Sequence, residues 1–205
     1  MGEKGLLVVQ PTRVVPRKGI ELAIELVGRL GDPDAVLLIT SPAGDEGLDY
    51  LVELERLAER KKVRLAYAAD RFAPDQDGKP LRPEHSLHDA YLASDLITYP
   101  SLYEGFGNAL LEALFYGVPV VVNRYPVFVA DIKPLGLRLI EIDGAITDQT
   151  VTEVKELLAN PRRIRENALL NYETASKRLS YGVLRRKLRR EMEAVLEAAA
   201  TASPS

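Results

Sequence analysis

Two glutamates, Glu104 and Glu112, flank the point where an apolar run gives way to a helical pattern. Gly105 and Gly107 lie between them, and glycine permits positive φ angles and a close approach of a ligand to the backbone. If the helix starts near Gly107, Asn108 and Glu112 lie one turn apart on the same face. The free N–H groups of the first turn attract a phosphate, and carboxylates accept hydrogen bonds from paired hydroxyls. The segment therefore suits a nucleotide sugar.

A basic pair, Arg13 and Lys18, follows the apolar run Leu6–Gln10 and leads into another helix. Both side chains could reach a diphosphate at the carboxyl ends of neighbouring strands and neutralise the charge that develops as it leaves. Taken separately, the glutamates could be surface carboxylates that a helix dipole favours, and the basic pair could be solvated surface. Taken together, their charges complement different parts of one ligand.

Apolar runs of strand length alternate with helical patterns along the chain. Most runs are almost continuous in Val, Leu and Ile, which is typical of strands buried on both faces of a parallel sheet. This alternation predicts an α/β fold, a Rossmann-like doubly wound parallel sheet of about six strands with helices on both faces. Ligands of such sheets bind beyond the carboxyl ends of the strands, where both motifs lie. The predicted strands are Leu6–Gln10, Ala35–Thr40, Val63–Ala68, Leu96–Tyr99, Val118–Asn123 and Leu137–Ile142.

Helical periodicity and stop signals place the helices between these strands. A capping-box pattern over Ser86–Asp89 predicts a short helix that runs to about Ser94. Gly117 and Pro119 close the helix that begins near Gly107. The stretch from Asn123 to Asp131 is predicted as a loop. Further helices are predicted from Ile20 to a stop at Gly31, over Leu48–Ala58, and over Val151–Ala159, Arg162–Lys177 and Tyr181–Ala199.

Composition limits the classes of function. The 205 residues suffice for one substantial core, and 46% hydrophobic and 28% charged residues are ordinary for a globular domain. A net charge of −3 gives no electrostatic reason to expect nucleic acid as a partner. The absence of cysteine excludes disulfides and thiolate chemistry, and His85 and His88, predicted as surface residues, do not suffice for a His-rich metal site. Neither a signal-peptide pattern nor an apolar run of about 18 residues is present, so a cytoplasmic location is expected.

The segment Glu104–Gly107 with Glu112, followed by Gly117–Val121, resembles the two-glutamate motif of family-four retaining glycosyltransferases. Arg13 and Lys18 resemble that family's basic pair at the usual spacing. The family has the GT-B fold, in which two Rossmann-like domains enclose the active site. The resemblance implies that residues 1–200 form the C-terminal, donor-binding domain, that 201–205 are a disordered tail, and that the N-terminal acceptor domain is absent from this chain.

The resemblance implies a role for each matched residue. Arg13 and Lys18 would bind the donor diphosphate and stabilise the leaving nucleotide, and with Glu104, which would bind hydroxyls of the transferred sugar, they form the expected catalytic set. Glu112 would bind the ribose hydroxyls. The sugar and phosphates would be lined by Gly105, Phe106, Gly107, Asn108 and Ala109.

Two further features have a functional and a structural interpretation. Arg71 and Phe72 follow the third predicted strand, where the family's nucleotide base lies, so Arg71 could contact the base and Phe72 could stack on it; alternatively, Phe72 belongs to the core. The basic run Arg185–Arg190 lies on a helix with an apolar stripe. We expect that stripe to pack on this domain or on the absent one, with at most peripheral contact with anionic lipid.

The resemblance implies a donor-binding domain of an enzyme that transfers a hexose from a nucleotide-diphosphate sugar to an acceptor with retention. Such enzymes need no bound metal or other cofactor and use the leaving phosphate as the base. The isolated domain is expected to bind nucleotide sugar weakly and to be inactive. Two alternatives stay open: a non-catalytic nucleotide-sugar-binding module acting with a partner chain, or another GT-B enzyme such as a sugar-nucleotide epimerase. The stretches Thr40–Gly44 and Asn123–Asp131 depart from the family's glycine-rich turns, which leaves the nucleotide and the sugar open.

Overall fold

The computed structural model describes residues 5–43, 48–72 and 85–201, with side chains described up to residue 196. Within these residues six parallel strands form one sheet. The strands are β1 (Leu7–Gln10), β2 (Val36–Ile39), β3 (Arg64–Tyr67), β4 (Leu96–Tyr99), β5 (Val120–Asn123) and β6 (Ile140–Ile142). Their order is β3-β2-β1-β4-β5-β6, so the direction of sheet growth reverses between β1 and β4. The predicted doubly wound sheet is confirmed, and both predicted motifs follow the strands at this switch point.

Helices cover both faces of the sheet. They are α1 (Ile20–Leu30), α2 (Leu48–Lys61), α3 (Ala69–Phe72), α4 (Leu87–Ala93), α5 (Asn108–Tyr116), α6 (Asp148–Leu158), α7 (Pro161–Arg178) and α8 (Tyr181–Thr201). The predicted capping box forms at the start of α4, where the Ser86 side chain accepts from the Asp89 N–H. Gly31 and Gly117 end α1 and α5 in left-handed conformation, as the stop signals predict. The short helix α3 was not predicted.

Successive side chains of the central strands point into two separate cores. Val8 of β1 packs with residues of α1, α2 and α6 on one face, and its neighbour Val9 packs with residues of α4 and α5 on the other. All residues of β4 and β5 are buried. Burial on both faces is the physical reason that these strands are nearly continuous apolar runs.

Two predicted strands are shorter than their apolar runs because their backbone groups have other partners. The Arg138 N–H and C=O, inside the predicted run Leu137–Ile142, pair with the side chain of the buried Asn171 at 2.7 and 3.0 Å. The Val118 N–H bonds the Ala113 carbonyl at the end of α5. The sequence of the β6 segment does not indicate its shortening, because Asn171 lies two helices further along the chain.

The stretch from Asn123 to Asp131 was wrongly predicted as a loop throughout. A turn of π-helix spans Phe128–Ile132, and Phe128 and Ile132 are buried against α5's side of the sheet. The turn could not be predicted because a single π turn has no distinctive periodicity in sequence. Burial of its apolar side chains stabilises it.

The three terminal helices agree with prediction, but one of the two packings expected for the last helix is wrong. The apolar stripe of α8, from Leu184 to Leu196, has side chains that are 51 to 67% exposed. Within the described residues the stripe is therefore not packed on this domain, which corrects one of the two expected packings. The predicted disordered tail at 201–205 lies outside the described residues, apart from Thr201, with which α8 ends.

Across the part of the chain that the structure describes, no helix is both long enough and apolar enough to cross a membrane.

Candidate functional site

The loops that follow β1 and β4 are bonded to each other. The Leu102 N–H donates to the Arg17 carbonyl at 2.8 Å. Gly19 has φ 61°, and a Cβ at that position would lie 2.5 Å from the Pro100 carbonyl oxygen. Only glycine satisfies both the backbone conformation and the close approach, so this residue fixes the relative position of the two loops that carry the predicted site.

A buried tyrosine determines the turn that begins α5. The Tyr125 hydroxyl donates to the Phe106 carbonyl at 2.7 Å, and its side chain is fully buried. Gly107 caps the helix with φ 115°, and a Cβ there would lie 2.7 Å from the Tyr125 hydroxyl and 3.2 Å from that of Tyr99. The glycine is thus required by both its φ angle and the two phenols beneath it.

The N-terminus of α5 is suited to an anion. Gly107 provides no side-chain cap, and no acidic residue lies in the first turn. The N–H groups of Asn108 and Ala109, as the first two of the helix, have no carbonyl partner within it. Together with the helix dipole, these N–H groups form a site that favours negative charge.

Glu104 lies between two cations beside this helix end. Its carboxylate bonds the Lys18 ammonium directly, and both side chains are only 10% exposed. Arg17 approaches the other carboxylate oxygen at 3.4 Å and donates to the Tyr103 carbonyl at 3.1 Å. The Lys18 Nζ also lies 5.8 Å from the centre of the Tyr99 ring. An ammonium has three donors, so Lys18 can bond a ligand while remaining paired with Glu104.

The protonation states of the buried groups follow from these contacts. Burial opposes ionisation of Glu104, but Lys18, together with the hydroxyls of Ser101 and Tyr99, outweighs it and holds the pKa of the carboxyl below its usual range. Burial and the nearby Glu104 carboxylate both raise the pKa of Tyr99. Tyr99 therefore stays a neutral phenol beside a carboxylate that stays ionised.

A cleft of about 370 Å³ opens above these groups at the carboxyl ends of β1 and β4. A larger cavity of about 690 Å³ lies between β6 and α7 and contains none of the predicted site residues. We place the candidate site in the smaller cleft because the uncapped N-terminus of α5 and the buried Lys18 meet there. It is lined by Pro11, Thr12, Arg13, Lys18, Ser41, Tyr99, Glu104, Phe106, Gly107, Asn108 and Ala109.

The structure brings most of the predicted site residues together, but four do not line the cleft. Glu112 is exposed one turn along α5, and its carboxylate accepts from the Tyr91 hydroxyl at 2.8 Å. Phe72 packs against the core and its ring centroid lies 5.8 Å from that of His85, while Arg71 is exposed. Gly105 is exposed in the turn between Glu104 and Gly107. Their expected contacts with ribose, base and sugar stay predictions.

Sequence reasoning missed Arg17, Tyr99 and Tyr125. Arg17 adjoins the predicted Lys18, and this proximity was an available signal. Tyr99 is the last residue of β4, and Tyr125 follows β5. In sequence each resembles an ordinary core residue, and only the order of the strands brings both phenols next to Gly107.

Among the described residues, no group of three or more His, Asp or Glu side chains is arranged to hold a metal ion.

Comparison with known protein families gives a match over most of the chain. The profile of the family described as Glycosyl transferases group 1 matches residues 2–172. Two similar curated proteins are named mannosylglucosylglycerate synthase. The one from Petrotoga mobilis is 36% identical over 160 residues, covering 69% of this chain and 36% of the relative. The one from Thermotoga maritima is 32% identical over 218 residues, covering 91% of this chain and 48% of the relative. The chain thus spans half or less of the length of these relatives.

Solved structures share the fold. Anabaena Alr3699/HepE in complex with UDP superposes with a TM-score of 0.72 at 18% identity, over 93% of this chain and 49% of that protein. The C-terminal domain of a glycosyl transferase group 1 family protein, LpcC from Francisella tularensis, superposes with a TM-score of 0.67 at 18% identity, over 87% of this chain and 88% of that domain. The architecture described above is therefore that of a domain that recurs within longer chains.

Proposed function

The chain belongs to the group 1 family of glycosyl transferases, and from that premise we propose that it binds the nucleotide-diphosphate sugar donor of a retaining hexosyltransferase. The proposal rests on one observation above all. A buried Lys18–Glu104 pair lies beside the uncapped N-terminus of α5, in a cleft at the switch point of the sheet. Cation and helix end favour a diphosphate, and the carboxylate beside them favours sugar hydroxyls.

The charges of the site divide between the two halves of such a ligand. Arg13 and Lys18 line the cleft and carry positive charge, and α5 adds the partial positive charge of its first turn. These groups would bind the diphosphate and stabilise the negative charge that grows on it as it leaves. Glu104, held ionised by Lys18, can only accept hydrogen bonds, so it suits the hydroxyls of the hexose.

The reaction then needs little acid–base chemistry from this domain. The bond between the anomeric carbon and the phosphate oxygen breaks, and the acceptor hydroxyl attacks the same face of the sugar. The proton of that hydroxyl passes to the leaving phosphate, which serves as the base. Acceptor contacts would come from a second domain, and the metal independence and cytoplasmic location of the enzyme stay predictions.

The comparisons support the choice of ligand. Alr3699/HepE is solved in complex with UDP and with UDP-glucose, and a mannosyltransferase of Mycolicibacterium smegmatis with 33% identity is named as GDP-mannose-dependent. The relatives are named as synthases or transferases of sugars and none of those named above is an epimerase, which favours a transferase over the epimerase alternative. The partial coverage of the two synthases fits a donor-binding portion that needs a complementary acceptor domain.

Calorimetric titration of UDP-, GDP- and ADP-hexoses into the chain tests this function. We expect one nucleotide sugar of the panel to bind, and its nucleoside without phosphates to bind far more weakly. Glu112→Ala, measured in parallel, tests the predicted ribose contact and should weaken binding of the nucleotide sugar. If no member of the panel binds at millimolar concentration, the proposed function is wrong.

A further inference from the structure

A buried chain of hydrogen bonds leads from the centre of the sheet to the cleft. Gln10, the last residue of β1, is fully buried between Thr98 of β4 and Thr12 of the following loop. Its Nε2 donates to the Thr12 hydroxyl at 2.8 Å, and its Oε1 accepts from the Thr98 hydroxyl at 2.7 Å. Thr12 and Thr98 are 5% and 1% exposed, so water does not compete for these bonds.

The direction of these bonds is fixed by their donors. Thr98 has a second acceptor, the Val9 carbonyl, at a long 3.5 Å. Its proton therefore has a good acceptor only when the Gln10 carbonyl oxygen faces it. The amide nitrogen of Gln10 must then face Thr12, and an amide NH₂ group can only donate.

Thr12 is consequently left with a proton and no acceptor. Its hydroxyl accepts from Gln10, and within the described part of the chain no hydrogen bond has Thr12 as its donor. Thr12 lines the cleft beside Arg13. A hydroxyl whose proton is free and whose oxygen already accepts a bond is suited to a ligand oxygen that only accepts.

We propose that the Thr12 hydroxyl is a further binding group for the nucleotide-sugar substrate, that it donates a hydrogen bond to a phosphate oxygen, and that Gln10 positions it. The inference rests on the proposed function and adds to it a residue outside the matched motifs. Phosphate oxygens carry negative charge and only accept, and an O–H bond to an ionised oxygen is stronger than a neutral one. Sugar hydroxyls both donate and accept, so they make less use of a fixed donor.

Two substitutions of Thr12 separate its hydroxyl from its shape. Thr12→Val keeps the shape of the side chain and removes its hydroxyl, and it should raise the Kd of the nucleoside diphosphate by about tenfold. Thr12→Ser keeps the hydroxyl and should stay within about twofold of the wild type. The probes are UDP, GDP and ADP, each beside its own nucleoside, whose binding should not change. A Thr12→Val variant that binds the diphosphate as well as the wild type does overturns the inference, as does a Thr12→Ser variant as weak as Thr12→Val.

A double-mutant cycle tests the positioning role of Gln10. Gln10→Met should weaken diphosphate binding by about threefold in the wild type and have no effect in the Thr12→Val background. An equal effect in both backgrounds would show that Gln10 acts through the fold, and would overturn its positioning role. Because Thr12→Val leaves the buried Gln10 amide unpaired, thermal unfolding monitors each variant. If Thr12→Val does not fold, the double variant is compared with Gln10→Met instead, and an equal Kd for the diphosphate in these two variants overturns the role of Thr12.

The same titrations distinguish this inference from the proposed function. If the wild type binds none of the three diphosphates, the proposed function fails. If the wild type binds one of them and Thr12→Val binds it equally, the function stands and only the role of Thr12 fails.

Discussion

In the described part of the chain, Glu104 and Glu141 are each bonded by two cations, yet only Glu104 belongs to a candidate site. Glu104 lies between Lys18 and Arg17, and Glu141 of β6 lies between Arg124 and Lys133, at 2.7 and 2.5 Å. In both clusters burial opposes ionisation, but neighbouring groups lower the pKa of the carboxyl, with Lys18 first among them for Glu104 and Lys133 with Arg124 for Glu141. The two clusters differ in exposure, since the lysine side chain is 10% exposed in the first and 41% in the second.

The comparison shows that position in the sheet, rather than charge pattern, marks the site. The cluster around Glu104, hereafter the cleft cluster, lies at the switch point of the sheet and beside the free N–H groups of α5. The cluster around Glu141, hereafter the edge cluster, lies on the last strand of the sheet. Water screens an exposed cluster of this kind, so we expect it to contribute little to stability or to ligand binding.

Removal of the lysine should give the largest difference between the clusters. Lys18→Met leaves the buried Glu104 without its main partner, and we expect the free energy of unfolding to fall by about 3 kcal/mol. Lys133→Met, the matched control, should lower it by less than about 0.5 kcal/mol. Urea denaturation at neutral pH measures both variants. Equal losses would mean that burial does not distinguish the two clusters.

Two glycines near the clusters provide the next comparison. Gly107 has φ 115° and two phenol oxygens within 3.2 Å of an added Cβ. Gly136, which follows a 3₁₀ turn over Lys133–Leu135, has φ 73° and no atom within 4 Å of an added Cβ. Gly136→Ala should destabilise by about 1 kcal/mol from backbone strain alone. Gly107→Ala should destabilise by about 2 kcal/mol or more, because a methyl group also displaces Tyr125. Thermal unfolding of the two variants gives the ranking, and a reversed order would contradict the packing described for the start of α5.

The contribution of Glu104 to stability should depend on pH. The folded-state pKa of Glu104 lies below its ordinary value of 4.5, so the ionised carboxylate stabilises the fold above that pH and the contribution is lost as the pH falls through the folded value. Wild type should therefore exceed Glu104→Gln by about 1.5 kcal/mol at pH 7, with the difference shrinking in acid below pH 4.5. A difference that is constant from pH 7 to 3 would show that the carboxylate is not the stabilising group.

The smallest effect is expected in the edge cluster. Glu141→Gln should change the free energy of unfolding by about 0.5 kcal/mol or less, and high salt should remove the change because exposed pairs are screened. Denaturation at low and high ionic strength measures it. A larger, salt-resistant loss would place the edge cluster in the same class as the cleft cluster.

Much of the fold could be predicted because strands and helix ends depend on residue types within a few positions of each other. Continuous apolar runs gave strands buried on two faces, and the box from Ser86 to Asp89 and the glycines at 31 and 117 gave helix ends. The bond between Arg138 and Asn171, which shortens β6, joins residues 33 positions apart. Nothing in either segment alone indicates it.

The site was predictable in its residues and less so in its contacts. The types and spacing of Arg13, Lys18 and Glu104 pointed to one ligand, and all three line one cleft. The direct bond between Lys18 and Glu104 spans 86 positions and depends on β1 lying next to β4. Spacing within a loop carries no information on that pairing, since the order of strands in the sheet decides it.

One arginine from each region gives the most direct test of the cleft as the donor site. Arg13 lines the cleft, and Arg124 belongs to the edge cluster; both are outside the core, so their replacement by alanine should leave the fold intact. Calorimetric titration of the nucleotide sugar that binds the wild type should give a Kd about tenfold higher for Arg13→Ala and within about twofold of wild type for Arg124→Ala. Unchanged binding in Arg13→Ala, or an equal loss in both variants, would contradict the assignment of this cleft as the donor site.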